Sequence, residues 1–348
     1  AVMEIIDSDM GFLLSREGVM VRIRKNANTL TITERNRFLE ALKRLDLTYN
    51  DYIDFVKTHS RDNTGVRLSK IASRQGHAGS AFLPWHRAYV LHLERLLQAA
   101  DPAVALPYWK FDQNAPNVFN PDFMGSNGSG NMVILSATNP IVSWTLPGEG
   151  VPIGIQRKTP YGDNGHPKVA NEIATLGLGS PSFSFSGFKR MEISFHNRAH
   201  TKSGKTSWLS PQNTSNRDPL FFLLHSNVDR VWAKWQWMHS RYDIDDTLSY
   251  DLQGSFVAPA PGVLPPDVSA NRTLGQYADD TMWPWDNLTG GTNAAARPSI
   301  AILTPFPVTL NSTGNGKPTV KSMIDYLGIT NSTPCDGLGY GYDDFFPY

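Results

Sequence analysis

The chain has 348 residues, 40% of them hydrophobic and 18% charged, with 32 Lys and Arg balanced by 32 Asp and Glu. A chain of this length buries roughly three quarters of the surface its unfolded form exposes, so it folds without cross-links; zero formal charge with no basic run removes the electrostatic footprint of a nucleic-acid or anionic-membrane binder. Its single cysteine, Cys335, excludes an internal disulfide and any multi-thiolate zinc or iron–sulfur site, so nitrogen or oxygen must hold any metal.

No run of 18 apolar residues reads as a membrane span. Along the chain, the first 110 residues read as helical. Thr31 and Glu34 form a capping box ahead of Phe38, Leu39, Leu42 and Leu45 at helical spacing. A second helix is expected over Tyr49 to Lys57, and a third from Trp85 to about Ala99, stopped by Asp101-Pro102. Residues 112–185, rich in Gly, Asn, Pro and Ser, read as long irregular connections, and loops of that length usually serve a function. Helical pattern returns at about 190–200 and again from Asp218-Pro219 through Trp235. Beyond residue 250 the chain is Pro/Gly-rich, with β-prone runs at 300–303 and 307–310. With no internal repeat and no low-complexity linker, the expectation is one domain over 1–348. It is mainly α, with a helical centre, long loops and a few short peripheral strands.

The nine histidines carry the chemistry. His196 and His200 lie four apart on a helix, so their rings project from one face, and His225 follows on the next apolar helix. In the first half, His77 and His86 flank a glycine-containing loop, and His59 ends the preceding helix. Taken singly, a His on an apolar helix is ordinarily a core residue with a satisfied ring. Six at these spacings, among aromatic and aliphatic neighbours where an unpaired imidazole is costly to bury, point to two three-histidine metal sites. His92, six residues past His86, keeps the core reading, as do His166 in a Gly/Pro loop and His239 at a helix end. Neutral imidazole suits zinc, copper, iron and nickel, whereas the lack of bridging carboxylates disfavours di-iron and magnesium chemistry. A hydrolytic zinc helix would carry Glu directly after its first His, and here that residue is Asn197.

These residues resemble the type 3 copper proteins and, within them, the tyrosinases and catechol oxidases. Phe82-Leu83-Pro84-Trp85-His86-Arg87-Ala88-Tyr89 with Glu94 resembles the first copper motif; His196-Asn197-Arg198-Ala199-His200 and the run from Asp218 to Arg230 resemble the second. Leu106-Pro107-Tyr108-Trp109 and the tyrosine motif Tyr340-Gly341-Tyr342 extend the similarity over almost the whole chain. The resemblance implies a central four-helix bundle clasping two coppers with O2 between them. It assigns copper A to His59, His77 and His86, and copper B to His196, His200 and His225. Two positions depart from the pattern. Leu224 stands where relatives often have a first of two adjacent histidines, and Gln75 stands where some relatives carry a cysteine joined to the copper A ring.

The implied activity is that of a dicopper polyphenol oxidase with O2 as co-substrate. It would hydroxylate phenolic small molecules and oxidise o-diphenols to o-quinones, with no nucleic-acid or membrane partner; a copper-delivery protein is not identifiable from the sequence. A phenol must lose its proton near neutral pH, so a base is needed. Glu192, four residues before His196, and Asn197 match the pair that holds a water for this task in tyrosinases, and they favour tyrosinase over catechol oxidase alone. A hemocyanin-like O2 carrier and a pair of zinc sites are the remaining alternatives. Phe221, four before His225, is expected to floor the substrate pocket or belong to the core, and Thr201 sits where relatives tune substrate preference. Asp229, Arg230 and Glu94 are expected to form ion pairs that lock helices behind the ligands. Many relatives continue past the tyrosine motif into a domain that plugs the site; with Tyr348 so close, a single catalytic domain without a plug is expected.

Overall fold

In the computed structural model of the protein, the described residues are 2–6, 13–18, 22–48, 56, 59, 76–77, 79–144, 154–157, 170–201, 207–212, 214–254, 277–282, 285, 319–328 and 338–344. Helices dominate, and no sheet among the described residues exceeds two strands. Strands β1 (Val2–Ile6) and β2 (Leu13–Gly18) pair antiparallel, and β3 (Arg22–Arg24) leads into helix α1 (Ile32–Thr48). The capping box predicted ahead of α1 is present: Thr31 N–H donates to Glu34 Oε2 at 2.9 Å, and Glu34 N–H donates to Thr31 Oγ1 at 3.2 Å. Phe38, Leu39, Leu42 and Leu45 are buried, and α1 packs against α2 (Phe82–Ala100). Of the helix expected over Tyr49 to Lys57, Val56 is helical, as is His59 beyond it; the rest lies outside the described residues.

Helix α2 begins three residues before Trp85, because Pro84 sits in its first turn, where no intrahelical N–H is required. Every side chain from Phe82 to Glu94 is buried, the mark of a helix at the centre of a core. The described residues of 112–185 are mostly loop, as expected, broken by the hairpin of β4 (Ser126–Asn127) with β5 (Val133–Ile134) and by the short helix α3 (Glu172–Leu176); 145–153 and 158–169 lie outside the described residues. The pattern at about 190–200 resolves into two pieces, a π-helical turn Glu192–His196 and α5 (Asn197–Thr201), preceded by the short α4 (Phe185–Phe188). Gly187 permits the tight entry to this segment, since a Cβ there would meet the Gly179 Cα at 2.3 Å.

Helix α6 (Leu220–Met238) is buried without interruption from Leu220 to Ala233 and packs on α2. Its start is set by Asp218, which accepts the Leu220 N–H at 3.0 Å and pairs with buried Arg157 at 2.7 Å. Around the centre stand the helical residues Val56 and His59, α2, the π turn with α5, and α6. A short α7 (Val320–Ile324) packs on α2, and β6 (Tyr340–Tyr342) pairs parallel with β3, joining the two ends of the chain. The β-prone runs at 300–303 and 307–310 lie outside the described residues.

Candidate metal centre

The fold brings all six histidines into two adjacent triads. His59, His77 and His86 form one and His196, His200 and His225 the other, each with one ring nitrogen per residue lying within 4.8 Å of the others. His86 on α2 and His225 on α6 are the facing members, stacked with centroids 4.2 Å apart and planes at 11°. The close packing of the two central helices therefore sets how near the two sites lie.

The hydrogen bonds of His196 and His200 fix tautomers that suit a cation in the second triad. His200 Nδ1–H donates to the Leu209 carbonyl at 2.8 Å, and His196 Nδ1–H donates to Asn197 Oδ1 at 2.9 Å. With the proton on Nδ1, each Nε2 carries a bare lone pair, yet these two nitrogens face each other at 2.9 Å. His225 Nε2 completes the triangle, 3.2 Å from both. The common centre lies about 1.8 Å from each nitrogen, close to the ~2.0 Å of a metal–imidazole bond. Lone pairs converging in a buried pocket repel unless a positive charge lies between them.

The first triad has the same chemistry in looser form. His86 Nδ1–H donates to the Phe82 carbonyl at 2.9 Å, which leaves Nε2 buried and without a partner. Both ring nitrogens of His59 are likewise buried, with the Gln212 backbone as a polar neighbour. A carbonyl or amide oxygen on the far nitrogen is the usual device that fixes tautomer and ring direction in a metal-ligating histidine. Both triads fit an imidazole-bound metal. Burial, reinforced by the neighbouring imidazoles, lowers His86, His196 and His225 well below the ordinary histidine value. Burial takes His200 down to about 4 and, with His200 and His196 adding to it, His59 down to about 3. The rings are neutral at pH 7, as a ligand must be.

Two phenylalanines frame the centre. Phe221 lies 4.1 Å from His225 and 4.9 Å from His59 between centroids, and Phe82 lies 4.7 Å from His196 and 4.8 Å from His86. Each touches both triads, and both are fully buried. Phe82 was not legible as a site residue, although the signal existed: each ring stands four residues before the last histidine of its triad. Thr201 closes α5 and is exposed. Glu192 is buried at the start of the π turn, and its carbonyl accepts the Asn197 N–H. In an α-helix, residues five apart point about 140° from one another. The π turn instead closes from i to i+5, so Glu192 stands about one turn before His196 and Asn197.

The remaining histidines differ. His92 is buried in the core with its Nδ1 accepting from Trp285 Nε1–H at 2.9 Å, and His239 stacks on Phe183 at 3.9 Å. His166 lies outside the described residues.

Behind α2 and α6 runs a buried ionic network whose hub, Arg24, had no sequence signal. Glu94 accepts from Arg24 Nη2 at 2.7 Å and from the Leu106 N–H at 2.8 Å. Asp229 accepts from Arg24 Nη1 at 2.9 Å, Tyr340 OH at 2.7 Å and Tyr342 OH at 2.6 Å, and also pairs with Arg87. Glu94 and Asp229 are thus linked through Arg24. Arg230 takes no part in that link and pairs instead with Glu172 and Asp344. Burial alone would raise the Asp229 carboxyl, but Arg87 and Arg24 outweigh it and hold it below its ordinary value. Asp229 lies one turn beyond His225, so the tyrosine motif and Arg24 brace the helix that carries that ring.

Comparison with known proteins matches residues 49–238 to the common central domain of tyrosinase. The chain is 32% identical over 288 residues to the tyrosinase of Streptomyces glaucescens, covering 76% of this chain and 93% of that one. It is 31% identical over 271 residues to the grixazone synthase of Streptomyces griseus, covering 63% and 86%. In structure it is similar to a functional unit of octopus hemocyanin, with a TM-score of 0.55 and 20% identity over 92% of this chain and 68% of that one; that likeness shows a shared fold. With a matched central domain bearing all six histidines and relatives aligned over most of its length, the chain belongs to the tyrosinase family of type 3 copper oxidases.

Proposed function

We propose that this copper oxidase is a tyrosinase, which hydroxylates monophenols at the ortho position and oxidises o-diphenols to o-quinones, reducing O2 to water. His59, His77 and His86 would hold copper A, and His196, His200 and His225 copper B; the convergent nitrogens of the second triad, proton-free in His196 and His200, support this most directly. Copper bound there would relay electrons from the phenolic substrate to O2 and act as the Lewis acid that receives a phenol oxygen.

The observation that carries monophenol hydroxylation is the π turn. A monophenol enters with a proton of pKa about 10, and a positioned carboxylate can take it near neutral pH. Glu192 is the buried carboxylate one turn before His196 and Asn197. The Asn197 oxygen is engaged by His196 Nδ1–H, which leaves its NH2 group as a donor to a water or a substrate oxygen. Phe221 and Phe82 are fully buried against both triads, and Thr201, at the end of α5, is exposed.

Glu192→Gln tests this reading. It keeps the shape and removes the base, so monophenol hydroxylation falls by about 10²–10⁴ while o-diphenol oxidation, whose first proton is easier to lose, falls far less. Equal losses on both substrates would remove Glu192 from the proton transfer and leave catechol oxidase as the better reading.

A further inference from the structure

Five of the six triad histidines stand on helical turns, which fix their direction; His77 does not. It lies in a bend beside Gly76, outside α2, so its ring depends on side chains from elsewhere. One anchor is remote: Ser80, three residues on, donates to the Asp251 carboxylate that also pairs with Lys189, tying the loop to the segment ahead of the π turn. The other acts on the ring itself. The exposed amide of Gln212 reaches His77 Nδ1 at 2.8 Å.

Gln212 belongs to a turn that already holds the other triad. Leu209, three residues earlier, supplies the carbonyl that accepts from His200 Nδ1–H. The turn is stiffened by Thr214 Oγ1 donating to the Trp208 carbonyl at 2.8 Å and by Ser215 Oγ donating to the Gln212 carbonyl at 3.1 Å. One short segment therefore grips a histidine of each triad. Because Gln212 engages Nδ1, Nε2 is the nitrogen left for a metal, and Nε2 ligates only when the ring proton is on Nδ1. An Nδ1–H needs an acceptor, which is the oxygen end of the amide. In this structure the nitrogen end faces the ring. A half-turn of the terminal amide torsion, a soft and nearly two-fold rotation, exchanges the ends without moving either residue.

We propose that Gln212 is the positioning residue of copper A, its amide oxygen accepting from His77 Nδ1–H and selecting the tautomer that offers Nε2, from the turn that supports copper B. This rests on the assignment of the first triad as a copper site.

The test uses the full chain with Gln212→Leu and Gln212→Glu, read by copper per chain and by Cu(I) competition titration. Leu fills the space without an acceptor, and the expected result is one of the two coppers weakened 10–100-fold, with the other unchanged. Glu presents an oxygen in either orientation and should restore wild-type affinity or better. Two undiminished coppers in Gln212→Leu, or Gln212→Glu binding as poorly as Gln212→Leu, would overturn the proposal alone. Failure of the wild-type chain to take up two coppers would overturn the copper assignment and this proposal with it.

Discussion

Asp229→Asn tests whether the buried network braces the centre. The carboxylate receives four donors: Arg87 on one oxygen, and Arg24, Tyr340 and Tyr342 on the other. Asparagine keeps the shape but turns one oxygen into NH2, so in either orientation a donor meets a donor. It also leaves two fully buried guanidinium groups with less negative charge than they need. Breaking a buried ion pair from one side costs about 3–5 kcal/mol. Unfolding entropy of about 2.1 cal/mol/K per residue over 348 residues is about 0.73 kcal/mol/K, so the melting temperature should fall by about 4–7 °C. Calorimetry of the copper-free protein measures this. A shift under about 1 °C would refute the reasoning and reduce the network to a bystander.

Acid should destabilise the copper-free protein in a defined window. Unfolded histidines take up protons below about 6.5, whereas His200 and His59 resist until about 4 and about 3. Stability present above pH 6.5 is therefore lost as pH falls toward 4, at up to about 1.4 kcal/mol per pH unit for each such ring. Urea midpoints that stay flat from pH 7 to 4.5 would contradict this. His196→Ala should remove the second site and lower bound copper from two per chain to one by metal analysis; retention of two with full activity would refute the ligand assignment. Gly187→Ala should cost about 1–3 kcal/mol by thermal unfolding, because its Cβ would meet the Gly179 backbone at 2.3 Å. An unchanged melting temperature would mean that the turn ahead of Glu192 yields freely.

What was legible in the sequence follows the physics of each feature. The capping box at Thr31 and the apolar stripe of α1 are local, and local pattern suffices for them. The six histidines were legible because imidazole ligands need a fixed residue type, and spacing groups them before any geometry is known. The π turn was not, since one extra residue in a helical turn leaves no mark in apolar periodicity. Arg24 and Gln212 were missed for a different reason. Arg24 meets Asp229 across 205 positions of sequence, and Gln212 meets His77 across 135, contacts that exist only after the bundle closes. Arg230 illustrates the converse: neighbouring Asp229 in sequence, it points to Glu172 on α3, because adjacent helical residues do not share a face.

Oxygen uptake by the copper-loaded chain, measured with a monophenol and with an o-diphenol alongside a metal count, tests the central claim most directly. The account predicts two coppers per chain and uptake with both substrates. Uptake with the o-diphenol alone would contradict monophenol hydroxylation through Glu192, and two coppers with no uptake from either substrate would contradict the assignment of tyrosinase activity.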